Sequence, residues 1–104
     1  MPTLTAVVNW TEDGGGRGTV ADIVVPSGSG STTITWTCGA QVASFAIDGL
    51  DATEFNPASS NGQVTTFTTV DADDRAADYN YNVTAVHASG RMGQKHDPKI
   101  TNET

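Results

Sequence analysis

From Thr33 to Cys38 every second residue is apolar, in the run Thr33-Ile34-Thr35-Trp36-Thr37-Cys38, with threonine at each position between. A period of two is that of an extended strand, whose successive side chains point to opposite faces; an amphipathic helix repeats every 3.6 residues. Ile34, Trp36 and Cys38 are therefore expected to enter a core while the threonines face water. Ala43, Phe45 and Ile47 alternate in the same manner, and so do Tyr79, Tyr81, Val83 and Ala85. With Phe67 from the threonine-rich run Gln63 to Val70, the expected core comprises Ile34, Trp36, Phe45, Phe67, Tyr79, Tyr81 and Val83. Val64 and Val70 are expected on the same strand as Phe67.

Composition points the same way. Leu4 and Leu50 are the only leucines, and threonine, serine, glycine, asparagine and aspartate dominate. β-Branched threonine loses rotamer freedom in a helix, and the small polar residues favour turns. The run Leu4–Trp10 reads as a further strand. The stretch 11–18 reads as a glycine-rich loop, Thr19–Val25 as a strand stopped by Pro26, and 51–62 as a loop. A last short strand is expected around Lys99-Ile100-Thr101. About seven to eight short strands spaced by turn signals predict an all-β, antiparallel sandwich, and 104 residues suit one domain spanning 1–104. Residues 1–10 stand outside the main pattern as an extra edge strand.

Two segments resemble immunoglobulin-like domains, the fibronectin type III group most nearly. Ile34-Thr35-Trp36 is similar to the strand carrying the buried core tryptophan. Tyr79-Asn80-Tyr81-Asn82-Val83-Thr84-Ala85 is similar to the penultimate strand. The resemblance covers roughly residues 19–101 and implies a Greek-key order, although a cupredoxin-like order gives the same number of short strands. It also implies a corner tyrosine bonded to backbone upstream, with Tyr79 the first candidate and Tyr81 the second. The disulfide of true immunoglobulin domains has no counterpart, because Cys38 is the single cysteine. The scaffold hosts many unrelated activities, so the resemblance carries a fold and no function.

The formal net charge is −7, and the five basic residues Arg17, Arg75, Arg91, Lys95 and Lys99 are mostly isolated. Phosphate backbones are held by clustered lysine and arginine, so nucleic acid is not an expected partner. No apolar run is long enough to span a membrane. Met1-Pro2-Thr3 leads into neither a basic n-region nor an apolar h-region, and the lack of paired cysteines tilts the expected compartment toward the cytoplasm.

Chemistry-bearing groups are few. Cys38, His87, Met92 and His96 match the ligand inventory of a blue-copper site, but Cys38 lies far upstream of the other three, against the ligand order of cupredoxins. Asp71, Asp73 and Asp74 offer oxygens to Ca²⁺ from one turn, without the spacing of an EF-hand; a solvated turn with an Asx cap accounts for them more simply. No Gly-x-Ser-x-Gly elbow or phosphate loop is present, so no enzyme is expected. Trp10 is either part of the core or a stacking platform for a sugar or partner. The reading that follows is a non-catalytic binding or assembly module acting through sheet edges and loops. Its partner is another protein or itself, with Leu4–Trp10 pairing between protomers. A carbohydrate- or Ca²⁺-binding module is the alternative, and no other cofactor is expected.

Overall fold

A computed structural model describes residues 2–73 and 75–103. The chain is all-β: β1 (Thr3–Thr11), β2 (Arg17–Thr19), β3 (Ile23–Val25), β4 (Thr32–Cys38), β5 (Val42–Asp48), β6 (Phe55–Asn56), β7 (Thr66–Asp71), β8 (Ala77–Asn80), β9 (Asn82–His87) and β10 (Lys99–Asn102), with one 3₁₀ turn at Asp13–Gly15. Among the described residues no helix is long and apolar enough to cross a membrane.

One sheet has the order β2-β1-β4-β7-β6, a second β3-β10-β8, and β5 pairs with β9. The sheets are mixed rather than antiparallel throughout. β1 runs parallel to β4 with Ala6 opposite Trp36, and β10 runs parallel to β3 with Ile100 opposite Ile23. Alternation has the same period in both kinds of ladder, which is why the pairing direction could not be read from it. β1 is also no appended edge strand. It stands between β2 and β4, and it sends Ala6 and Val8 into the core.

Two segments change partner along their length. Residues 17–19 pair with β1 (Asn9 opposite Thr19), whereas 23–25 pair with β10. Residues 77–80 pair with β10, whereas 82–87 pair with β5. Tyr81 lies at that second changeover and is 1% exposed. Its ring meets Trp36 edge-on at 5.7 Å, and the Trp36 indole N–H donates to its hydroxyl at 3.1 Å.

One apolar cluster fills the interior, including Val8, Ile34, Trp36, Phe45, Ile47, Phe55, Tyr81, Val83 and Ile100. Ile34, Trp36, Phe45, Phe67, Tyr81 and Val83 are buried as expected, but Tyr79 only packs against the margin of the cluster. A register shift between Val42 and Ser44 turns Val42 inward and leaves Ala43 exposed. In β7 the alternation set by Phe67 carries Thr69 and Asp71 inward and Val70 outward. A one-residue step exchanges the two faces of a strand, so Val70 cannot share the face of Phe67. Phe55-Asn56, expected within a loop, forms a short strand on β7.

Burial pushes the Tyr81 hydroxyl well above its ordinary value of 10.0. The fold thus favours the neutral phenol. That contribution is fully present below pH 10 and is lost as pH rises through the raised folded-state value. Thermal melts between pH 8 and 11 should show stability falling above pH 10. The Tyr81→Phe variant is expected to show a shallower fall; an unchanged slope would mean that other groups govern it.

Candidate functional site

The departure of residues 20–25 from β1 opens a groove. β1 is paired with β4 along residues 3–8, but β2 covers its other flank only at residues 9–11. Beyond Thr19 the chain leaves for β10, and among the described residues no backbone hydrogen bond joins residues 3–8 to 20–25. β3 is itself the outer strand of its sheet. The resulting cavity of about 360 Å³ has Leu4, Thr5, Ala6 and Val7 on one wall, and Val20, Asp22, Ile23 and Val24 on the other. Val7 is 43% and Val24 49% exposed, so two of the large apolar side chains left at the surface flank one groove. In a strand, alternate residues turn both N–H and C=O to the same side. The open flank of β1 therefore presents donors, acceptors and apolar side chains together.

Trp10 lies at the other end of β1, half-buried and part of neither a sealed core nor a bare platform. His87 meets its ring at 5.0 Å, and the Arg91 guanidinium lies 5.3 Å from the ring centre. Its indole N–H donates to Glu12 Oε2 at 2.9 Å, and Arg91 pairs with Glu12 Oε1. Gly16, at φ +94°, leaves room for the indole: a Cβ there would come within 2.7 Å of it. These neighbours join Thr11–Gly16 to the 88–93 loop. The bond from Trp10, followed by the bond from Arg91, holds the Glu12 carboxyl below its ordinary value of 4.5. Its contribution is present above pH 4.5 and is lost as pH falls through the lowered value. An NMR titration should place the Glu12 midpoint below that of an unpaired glutamate, and Arg91→Ala should raise it. A midpoint indifferent to Arg91 would break this account of the cluster.

The acidic turn expected to be solvated is buried instead. Asp71 is fully buried and Asp73 is 6% exposed. The Asp73 backbone N–H donates to Asp71 Oδ1 at 2.9 Å, an Asx turn folded inward. Asn102 Nδ2 donates to Asp71 Oδ1 at 2.9 Å and to Glu54 Oε2 at 3.4 Å, and the Tyr79 hydroxyl donates to Glu54 Oε2 at 3.3 Å. Period two from Phe67 was the available signal for Asp71; nothing local placed Glu54 or Asn102 beside it, since both arrive from distant segments. Asp74 lies outside the described residues. Among the described residues no three or more His, Cys, Asp or Glu side chains form a group able to hold a metal ion.

The remaining candidates each have contacts of their own. Cys38 packs against the core opposite Val8, its thiol pushed up by burial. His87 shares its Nδ1 with Ser89, Met92 is 58% exposed, and His96 approaches the Val20 carbonyl at 3.4 Å. The corner bond expected of Tyr79 or Tyr81 is replaced by side-chain bonds to Glu54 and Trp36. Neither the known protein-family models nor the sequences of curated proteins match this chain.

Proposed function

We propose that the protein is a non-catalytic binding module, built as an immunoglobulin-like sandwich of the fibronectin type III kind, that captures an extended segment of another polypeptide by strand addition at the open flank of β1. The observation that carries this reading is the unpaired flank of residues 3–8, facing a wall of Val20–Val24 across a groove. In strand addition the backbone bonds supply affinity, and pockets for alternate side chains supply selectivity. The groove offers both. Its apolar walls reward burial at about 25 cal/mol per Å², and its strand edge offers main-chain bonds without rearrangement of the sheet.

Deleting residues 1–10 is no clean test, because Ala6 and Val8 are core residues. The exposed pair is better suited. Seven-residue peptides alternating valine with a polar residue should bind the native chain and shift the backbone amide signals of residues 3–8 and 20–25. The Val7→Thr/Val24→Thr variant keeps β-branched shape while removing apolar contact, and its binding should weaken about tenfold. Shifts confined to the Trp10 or Glu54 clusters would overturn the reading. A mass that doubles with concentration in the absence of peptide would place a second copy on the edge instead.

A further inference from the structure

We infer that the groove selects extended segments in which apolar residues alternate with basic ones, a selectivity that rests on the strand-addition reading above. Among the described residues Asp22 is the only charged one lining the groove, and it is acidic. Its Oδ1 accepts the Lys99 backbone N–H at 3.1 Å, which ties the carboxylate to the start of β10. Glu103 donates its backbone N–H to the Val25 carbonyl and so places a second acid beside the end of β3. None of the five basic residues lines the groove. Arg91 is paired with Glu12, and Lys99 reaches toward Asp78 at 3.9 Å.

The whole chain carries −7. A charge of that size steers oppositely charged partners toward an open edge and repels like-charged ones. An inserted strand would turn alternate side chains toward Leu4, Ala6, Val20 and Ile23, and the intervening ones along the exposed Val7 and Val24 toward solvent and the acidic rim. Apolar residues suit the first set; lysine or arginine suits the second, its aliphatic stem covering Val7 and Val24 while its charge reaches the rim.

This pattern argues against a second copy as the occupant. Each copy brings another −7. The stretch of this chain that alternates a basic with an apolar residue in a strand, Lys99-Ile100-Thr101, already lies in β10 between β3 and β8. Donating it would dismantle its own sheet. The occupant is therefore an extended basic segment of a different protein.

Three blocked peptides of equal length, alternating valine with lysine, threonine or glutamate, test the inference by calorimetry and amide shifts on the full chain. The lysine peptide is expected to bind at least about tenfold more tightly than the glutamate peptide at low salt, and to lose most of that advantage at about 1 M salt. Asp22→Asn keeps an acceptor for Lys99 and removes the charge; it should weaken the lysine peptide about threefold, in the range of a single partly screened charge pair. Asp13→Asn removes an equal charge in the distant 3₁₀ turn and should leave binding unchanged. Equal affinity for the threonine or glutamate peptide at the groove would overturn the basic selectivity and leave strand addition standing. Equal effects of the two aspartate substitutions would mark the attraction as unspecific and overturn the selectivity as well. Failure of all three peptides to bind would remove both readings.

Discussion

Replacing Trp36 with alanine is expected to lower stability by about 3–5 kcal/mol, the usual cost of deleting a fully buried large aromatic. Trp36 is 0% exposed at the centre of β4, with Ala6 of β1 opposite on one side and Phe67 of β7 on the other. Its ring lies 5.5 Å from Phe67 and 5.7 Å from Tyr81, and its N–H is bonded to the Tyr81 hydroxyl. The deletion opens a cavity where three strands and the β8–β9 changeover meet, so the surroundings have little freedom to collapse. Small domains hold about 5–15 kcal/mol in all, and the variant should be largely unfolded at moderate urea. Tyr81→Phe is a gentler probe. It strands a buried indole donor and should cost about 1–3 kcal/mol. Urea melts check both, and a Trp36→Ala cost below about 1 kcal/mol, well short of the expected range, would deny this residue the centre of the core.

Gly18→Ala is expected to have the second largest effect. β2 crosses β9 so closely that a Cβ at Gly18 would stand 2.4 Å from the Ala85 Cβ and 3.1 Å from Val8 Cγ1. Neither neighbour is the far end of a flexible side chain, so the backbone of β2 must move, and overpacking of this kind costs about 1–3 kcal/mol. The displacement would also loosen the pairing of Asn9 with Thr19, where the groove begins. Ala85→Gly removes the opposing methyl. Combined with Gly18→Ala it should recover part of the loss, giving a favourable coupling in a double-mutant cycle. Additive losses would mean that the two positions do not meet.

The strands and most of the core were legible because period-two alternation is a local signal. Ile34 and Trp36 obey it, and so do Tyr81, Val83 and Ala85. It failed where geometry departs from a regular ladder. The irregularity at Val42–Ser44 exchanged Ala43 for Val42 on the buried face, and in β7 the polar Thr69 and Asp71, which apolar alternation does not mark, turn inward beside Phe67. Pairing direction was invisible, since parallel and antiparallel strands share one period. The groove was half legible. β1 was expected to offer an edge, and it does so along residues 3–8, yet as an inner strand rather than an appendage. What opens it is a change of partner between Thr19 and Ile23, a tertiary event with no signature in those residues alone. The cluster was legible only in part, because Asp71 and Asp73 share one acidic turn whereas Glu54 and Asn102 come to it from separate segments.

Residue-resolved amide hydrogen exchange, in the free protein and in the protein saturated with the valine–lysine peptide, bears most directly on the claim that β1 keeps an open flank. Amides of residues 3–8 turned away from β4 should exchange rapidly in the free chain and become protected with peptide, while those bonded to β4 stay slow in both states. Slow exchange along the open flank in the free protein, or peptide-induced protection appearing elsewhere, would contradict it.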